Sequence, residues 1–158
     1  MSPAHQERSR PPVGSSLPHT HARASNLRPF RPRGERAGHE SSCPARMVRG
    51  GSTESVHRAR EAARGFACGL VPAPGSDTVD TLVLVVSELA TNALRHGGGR
   101  YALELSATRD ALTAAISDPS PVPPRERAPD LNGGSGGFGW HMVRRLTADL
   151  TVAPGPGA

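Results

Sequence analysis

Between Val79 and His96 the apolar residues Leu82, Val83, Val86, Leu89, Ala90, Ala93 and Leu94 recur at spacings of three and four. That is the period of an α-helix with one buried face. Asp77 or Thr78 can cap its start, and Gly97-Gly98-Gly99 stops it. A helix with so wide an apolar stripe gains its stability from packing, so the rest of the chain must supply an apolar surface. The same helix carries Glu88, Asn92 and His96, each four residues from the next and therefore on one line along its axis. A carboxylate, a carboxamide and an imidazole in register suit a metal-bound phosphate. Asn offers Mg²⁺ a neutral oxygen, Glu can take a proton from an attacking hydroxyl or water, and His can contact phosphate or orient a neighbour. The alternative is an ordinary solvated helix face.

The surface that this helix needs is legible on both sides of it. Upstream, Val56, Ala59, Ala63, Phe66, Ala67 and Leu70 follow a helical period behind a capping stretch, Thr53-Glu54-Ser55, and the helix should end near Gly69. Residues 71–78 read as a loop. Downstream, Tyr101, Leu103 and Leu105 alternate with polar or small residues, as do Leu112, Ala114 and Ile116, and Thr108-Arg109-Asp110 between them reads as a hairpin turn. A long loop over 119–137 precedes a helix from Gly139 to about Ala148, with Trp140, Val143 and Leu146 inward. Leu150 and Val152 then begin a strand. Helix, helix, strand, strand, helix, strand packs most economically as a helix layer on one face of a mostly antiparallel sheet.

Two further clusters have chemical potential. Asp118, at the end of the second strand in Ser117-Asp118-Pro119-Ser120, can accept a hydrogen bond from an amino group such as the exocyclic amine of adenine. It can equally start a turn. The glycines of Gly133-Gly134-Ser135-Gly136-Gly137-Phe138-Gly139 lead into the last helix, where exposed backbone N–H groups bind anions. A flexible linker is the alternative. The spacing of Gly134, Gly136 and Gly139 formally matches a dinucleotide fingerprint. No strand directly precedes it, however, and too little chain follows for the acidic residue that motif requires.

Composition excludes as much as it suggests. All 19 basic residues are Arg, which rules out a Walker A loop and any other chemistry that needs Lys. Residues 1–50 hold nine Arg against Glu7, Glu35 and Glu40, whereas residues 51–158 hold ten Arg against eleven acids. The basic character thus belongs to the first third of the chain. That part is rich in Pro, Arg, Ser, Gly and His without a sustained apolar period, and it reads as a disordered tail ahead of a domain over 51–158. Met47 offers an alternative start just before that domain. The Arg-rich tail could attract nucleic acid, but the body has few aromatics to stack bases, so direct nucleic-acid binding is not expected. Cys43 and Cys68 make no metal-ligand spacing. Residues 1–30 lack the apolar core of a signal peptide, and the densest apolar run, Leu82–Val86, cannot span a bilayer, so the expectation is a cytoplasmic protein without membrane contact.

Taken in order, these clusters resemble a known family. Glu88-Leu-Ala-Thr-Asn92-Ala-Leu-Arg-His96-Gly97 looks like the N box of GHKL ATPases. Asp118-Pro-Ser looks like their first Gly/Asp box, and Gly137-Phe-Gly139-Trp-His-Met-Val143 like their second. The stretch VVSELATNALRHGGG is especially similar to the anti-sigma factor serine/threonine kinases of actinobacteria. The resemblance covers roughly residues 54–153. It implies a Bergerat-type two-layer α/β sandwich, α+β in class, with helices on one face of a mixed, mostly antiparallel sheet. The family's domain normally continues into a further strand after the turn that begins at Pro154, so the sheet is expected to lack that last strand.

The resemblance also implies roles. Asn92 would bind Mg²⁺, Glu88 would act as base, and Asp118 would recognise adenine. ATP contacts would include Asn92, His96, Asp118, Gly136, Gly137 and Gly139, and residues 121–137 would form a lid over the nucleotide. The implied function is an ATP-binding anti-sigma regulatory factor with serine/threonine kinase activity toward an anti-sigma antagonist. Its partners would be that antagonist and a sigma factor, with room for a homodimer. The alternative is a non-catalytic ATP-binding interaction module in sigma-factor regulation.

Overall fold

The computed structural model describes residues 20–25, 43–108, 110–122 and 138–154. Strands β1 (Thr20–Ser25) and β2 (Cys43–Gly50) come first, followed by helices α1 (Thr53–Cys68) and α2 (Ser76–His96). Strands β3 (Tyr101–Ala107) and β4 (Leu112–Asp118), helix α3 (Phe138–Leu146) and strand β5 (Asp149–Pro154) complete the order. The strands form one sheet in the order β2-β3-β4-β1-β5, and every described pairing is antiparallel. The helices pack on one another and on the sheet. This is the expected α+β sandwich.

Each helix forms where its local signals and its apolar face agree. At the start of α1 the Ser55 N–H and hydroxyl both donate to the Ser52 carbonyl, at 2.9 and 2.5 Å. Ser55 is fully buried, and the Tyr101 hydroxyl donates to its carbonyl at 2.7 Å, which ties the start of β3 to α1. Gly50 makes that corner possible, because a Cβ there would overlap the Ser55 hydroxyl and the Tyr101 ring. Helix α2 starts slightly before the expected cap, with the Gly75 carbonyl accepting from the N–H groups of Thr78 and Val79 at 3.0 and 3.1 Å. Its buried face, from Val79 through Ala93, is the one that the period marks.

The core lies between the two layers. Leu82, Val86 and Leu89 of α2 meet Leu103 and Leu105 of β3 and Ile116 of β4, with Val143 of α3 alongside. All seven are at most 2% exposed, so this interface is dry. Burial alternates cleanly along β3, as a sheet with one covered face requires.

Two stretches depart from the reading of residues 1–50 as a tail. Thr20–Ser25 and Cys43–Gly50 are strands of the sheet; the other residues of that third lie outside the described ones. Met47 stands within β2, opposite Glu104, so a chain begun there would lack β1 and half of an edge strand. Strand β1 stands inside the sheet, between β4 and β5. The physical reason for the discrepancy is that neither stretch alternates large apolar residues. Their pairing is set by ladders that neighbouring strands offer, which overrides local propensity.

Candidate functional site

Three segments that are far apart in sequence meet along α2. The expected stripe sits at the margin of its buried face: Glu88 and Asn92 are half-buried, and His96, a turn further on, is exposed. The Glu88 carboxylate lies directly against Gly139, in the first turn of α3. A Cβ at that position would overlap the carboxylate, so the glycine is what lets α3 approach α2 here.

At the other end of the stripe α2 meets the end of β4. Asp118 is half-buried. One of its carboxylate oxygens accepts from the Ser120 N–H at 2.9 Å, an Asx turn, so the turn foreseen for Asp-Pro is present. The carboxylate also lies against Gly97, where a Cβ would overlap it. Gly98, with φ +88°, rests on the Pro119 ring; a Cβ there would come within 2.9 Å of it. The C-terminal turn of α2 is therefore fitted to the end of β4. On the helical rise, the Glu88–Gly139 and Gly97–Asp118 contacts stand about 13 Å apart along α2, with Asn92 between them.

The structure thus brings Glu88, Asn92, Asp118 and Gly139 to one side of the fold, with His96 at the exposed margin. Gly136, Gly137 and most of the expected lid lie outside the described residues, of which only Pro121 and Val122 belong to that lid. Sequence reasoning took Gly97 as a helix stop and missed its contact with Asp118. The signal was there: three consecutive glycines follow a helix that one would end. The Ser120 N–H, which holds one carboxylate oxygen, left no sequence signal beyond Asp-Pro-Ser.

The donor set bears on the choice of cation. Among the described residues no three His, Cys, Asp or Glu side chains gather as a metal site. A cation here would rest on Asn92 and on oxygens of the ligand, the sparse protein coordination that Mg²⁺ accepts. No described helix is long and apolar enough to cross a membrane.

Helices on one face of an antiparallel sheet, with polar residues gathered where α2, the end of β4 and the start of α3 meet, define a two-layer α+β ligand-binding domain. The family model of the histidine kinase-like ATPase domain matches residues 51–157, and the chain belongs to that family of ATP-binding domains, which usually take Mg²⁺ with the nucleotide. Comparison with curated proteins and with solved structures finds no match.

Proposed function

We propose that the chain binds Mg-ATP along α2 and transfers its γ-phosphoryl group to a serine of an anti-sigma antagonist. The observation that carries this reading is the pair of contacts that bracket Asn92: Glu88 on Gly139 and Asp118 on Gly97. They put an acid able to read a base amine at one end of α2. About 13 Å back along the helix, near its middle, stand a proton acceptor and the glycine-containing first turn of α3. Asp118 would accept from the adenine amine, and Gly136, Gly137 and Gly139 would let the phosphates approach backbone N–H groups. His96, at the margin, would contact phosphate. Mg²⁺, when bound, neutralises charge on the phosphates, and Asn92 is the residue that would hold it.

The transfer balances with groups of this chain. Glu88 takes the proton of the attacking seryl hydroxyl while the seryl oxygen bonds to the γ-phosphorus. The bond from that phosphorus to the bridging oxygen breaks, and ADP leaves. The resemblance of VVSELATNALRHGGG, residues 85–99, to anti-sigma factor kinases supports the substrate class, a second surface for a sigma factor, and a cytoplasmic setting.

One observation favours a second reading, an ATP-binding module without transfer. The Glu88 carboxylate is engaged with the first turn of α3, which would make it a fastener for that helix rather than a base. Labelled phosphate transfer to candidate antagonists, measured beside ATP binding, separates the two. Glu88→Gln should keep binding and lose transfer by about 10²–10⁴-fold, the usual worth of a general base. Asn92→Ala should lose the Mg²⁺-dependent part of nucleotide affinity. Wild-type protein that binds Mg-ATP and phosphorylates no such partner selects the module.

A further inference from the structure

Strand β1 combines three features that no other strand of the sheet combines. Residues 20–25 lie outside the span 51–157 that matches the family. They nevertheless hold an interior position, with β4 on one side and β5 on the other. Among the described residues β5 has no other strand partner, so the last strand is joined to the sheet only through an N-terminal segment.

Two antiparallel ladders attach β1 to the sheet. Its sequence, THARAS, contains no large apolar residue. It pairs with β4 on one side and with β5 on the other. In register, Ala22 stands between Ile116 and Val152, and Ala24 between Ala114 and Leu150. A strand held in this way is recognised by its backbone hydrogen bonds, with small residues wanted at alternate positions. A strand without large apolar residues has little apolar surface to bury, which places it at the less stable end of the fold. Its neighbours differ in what they would lose. Strand β4 keeps β3 on its far side and keeps its core residues, whereas β5 loses its ladder.

We propose that the gap between β4 and β5 is a strand-acceptor site and that residues 20–25 are its exchangeable occupant. The ligand class is an extended peptide with small residues at alternate positions, and the occupant is the chain's own segment. The link over residues 26–42 holds that segment at high local concentration, so the site is filled in cis.

Hydrogen exchange on the full chain tests this, together with a fluorescent synthetic peptide of residues 16–29. In the wild type, amides of 20–25 and 149–154 should exchange together, and faster than those of α2 and β3. Ala22→Pro removes a ladder N–H from a strand paired on both sides. It should abolish protection at 149–154 while α2 and β3 keep theirs. The peptide should bind this variant and restore protection at 149–154. It should bind the wild type at least about 10-fold more weakly, because the tethered segment competes, and a peptide carrying Ala22→Pro should not bind. The proposal is overturned if β1 in the wild type exchanges only with global unfolding. Protection at 149–154 that survives Ala22→Pro overturns it, as does a folded variant that ignores the peptide. Loss of protection throughout the variant would also overturn it, making β1 an ordinary core strand. None of these readouts involves nucleotide.

Discussion

At the scale of single residues, the glycines after α2 separate two physical effects. Gly97 has an ordinary backbone (φ −94°) but no room for a Cβ, which would overlap the Asp118 carboxylate. Gly99 has room but a left-handed backbone, φ +77°. Gly97→Ala should therefore displace Asp118. On the proposed reading it should weaken ATP more than inorganic triphosphate, the pattern also expected of Asp118→Asn. Gly99→Ala should instead cost about 1 kcal/mol of stability through backbone strain alone and leave that selectivity unchanged. Calorimetry with ATP, GTP and triphosphate, beside urea unfolding, measures both. Equal losses for all three ligands in Asp118→Asn would leave Asp118 as a turn residue held by the Ser120 N–H.

At the scale of elements, α2 is the spine of the domain and its buried face sets the outcome of substitutions. Leu89 is 1% exposed, on the buried face beside the Glu88 and Asn92 stripe. Leu89→Ala should cost about 2–5 kcal/mol, the range for a buried leucine whose surroundings collapse only in part. A midpoint shift in urea unfolding would show it. The tie between α1 and β3 is weaker. Tyr101→Phe removes one buried hydrogen bond, to the Ser55 carbonyl, at a cost of about 1 kcal/mol. It should leave nucleotide affinity untouched, since the hydroxyl removed is committed to the Ser55 carbonyl of α1, although the start of β3 lies beside the end of β4. A change in ATP affinity in that variant would mean that the helix layer and the site move together.

At the scale of the whole molecule, α2 is the element that both layers and the candidate site share, so a ligand bound along it should stabilise the domain as a unit. Any ligand of the native state alone does so by mass action, by about 2.7 kcal/mol at a concentration about 100 times its Kd. Mg-ATP should raise the unfolding midpoint by several degrees. Mg-GTP should do so less, if Asp118 reads the base, and the difference should disappear in Asp118→Asn. Thermal scans at fixed protein concentration check this; no shift with Mg-ATP would count against nucleotide binding by the domain.

How much of this was legible depended on distance along the chain. The period of three and four over Val79–His96, the alternation in Tyr101–Leu105 and Leu112–Ile116, and the stop at Gly97 are local patterns, and each maps onto an element that the fold contains. The line of Glu88, Asn92 and His96 was readable because helical geometry alone puts residues four apart on one face. Sequence by itself therefore determined the helices, the β3–β4 hairpin, the covered face of the sheet and the family. Tertiary structure alone decided that Thr20–Ser25 enters the sheet between β4 and β5, that Gly139 receives Glu88, and that Gly97 receives Asp118. Those contacts join residues distant in sequence. They are set by strand ladders that any extended backbone can accept and by the space left where side chains are missing, and neither leaves a periodic trace in the sequence.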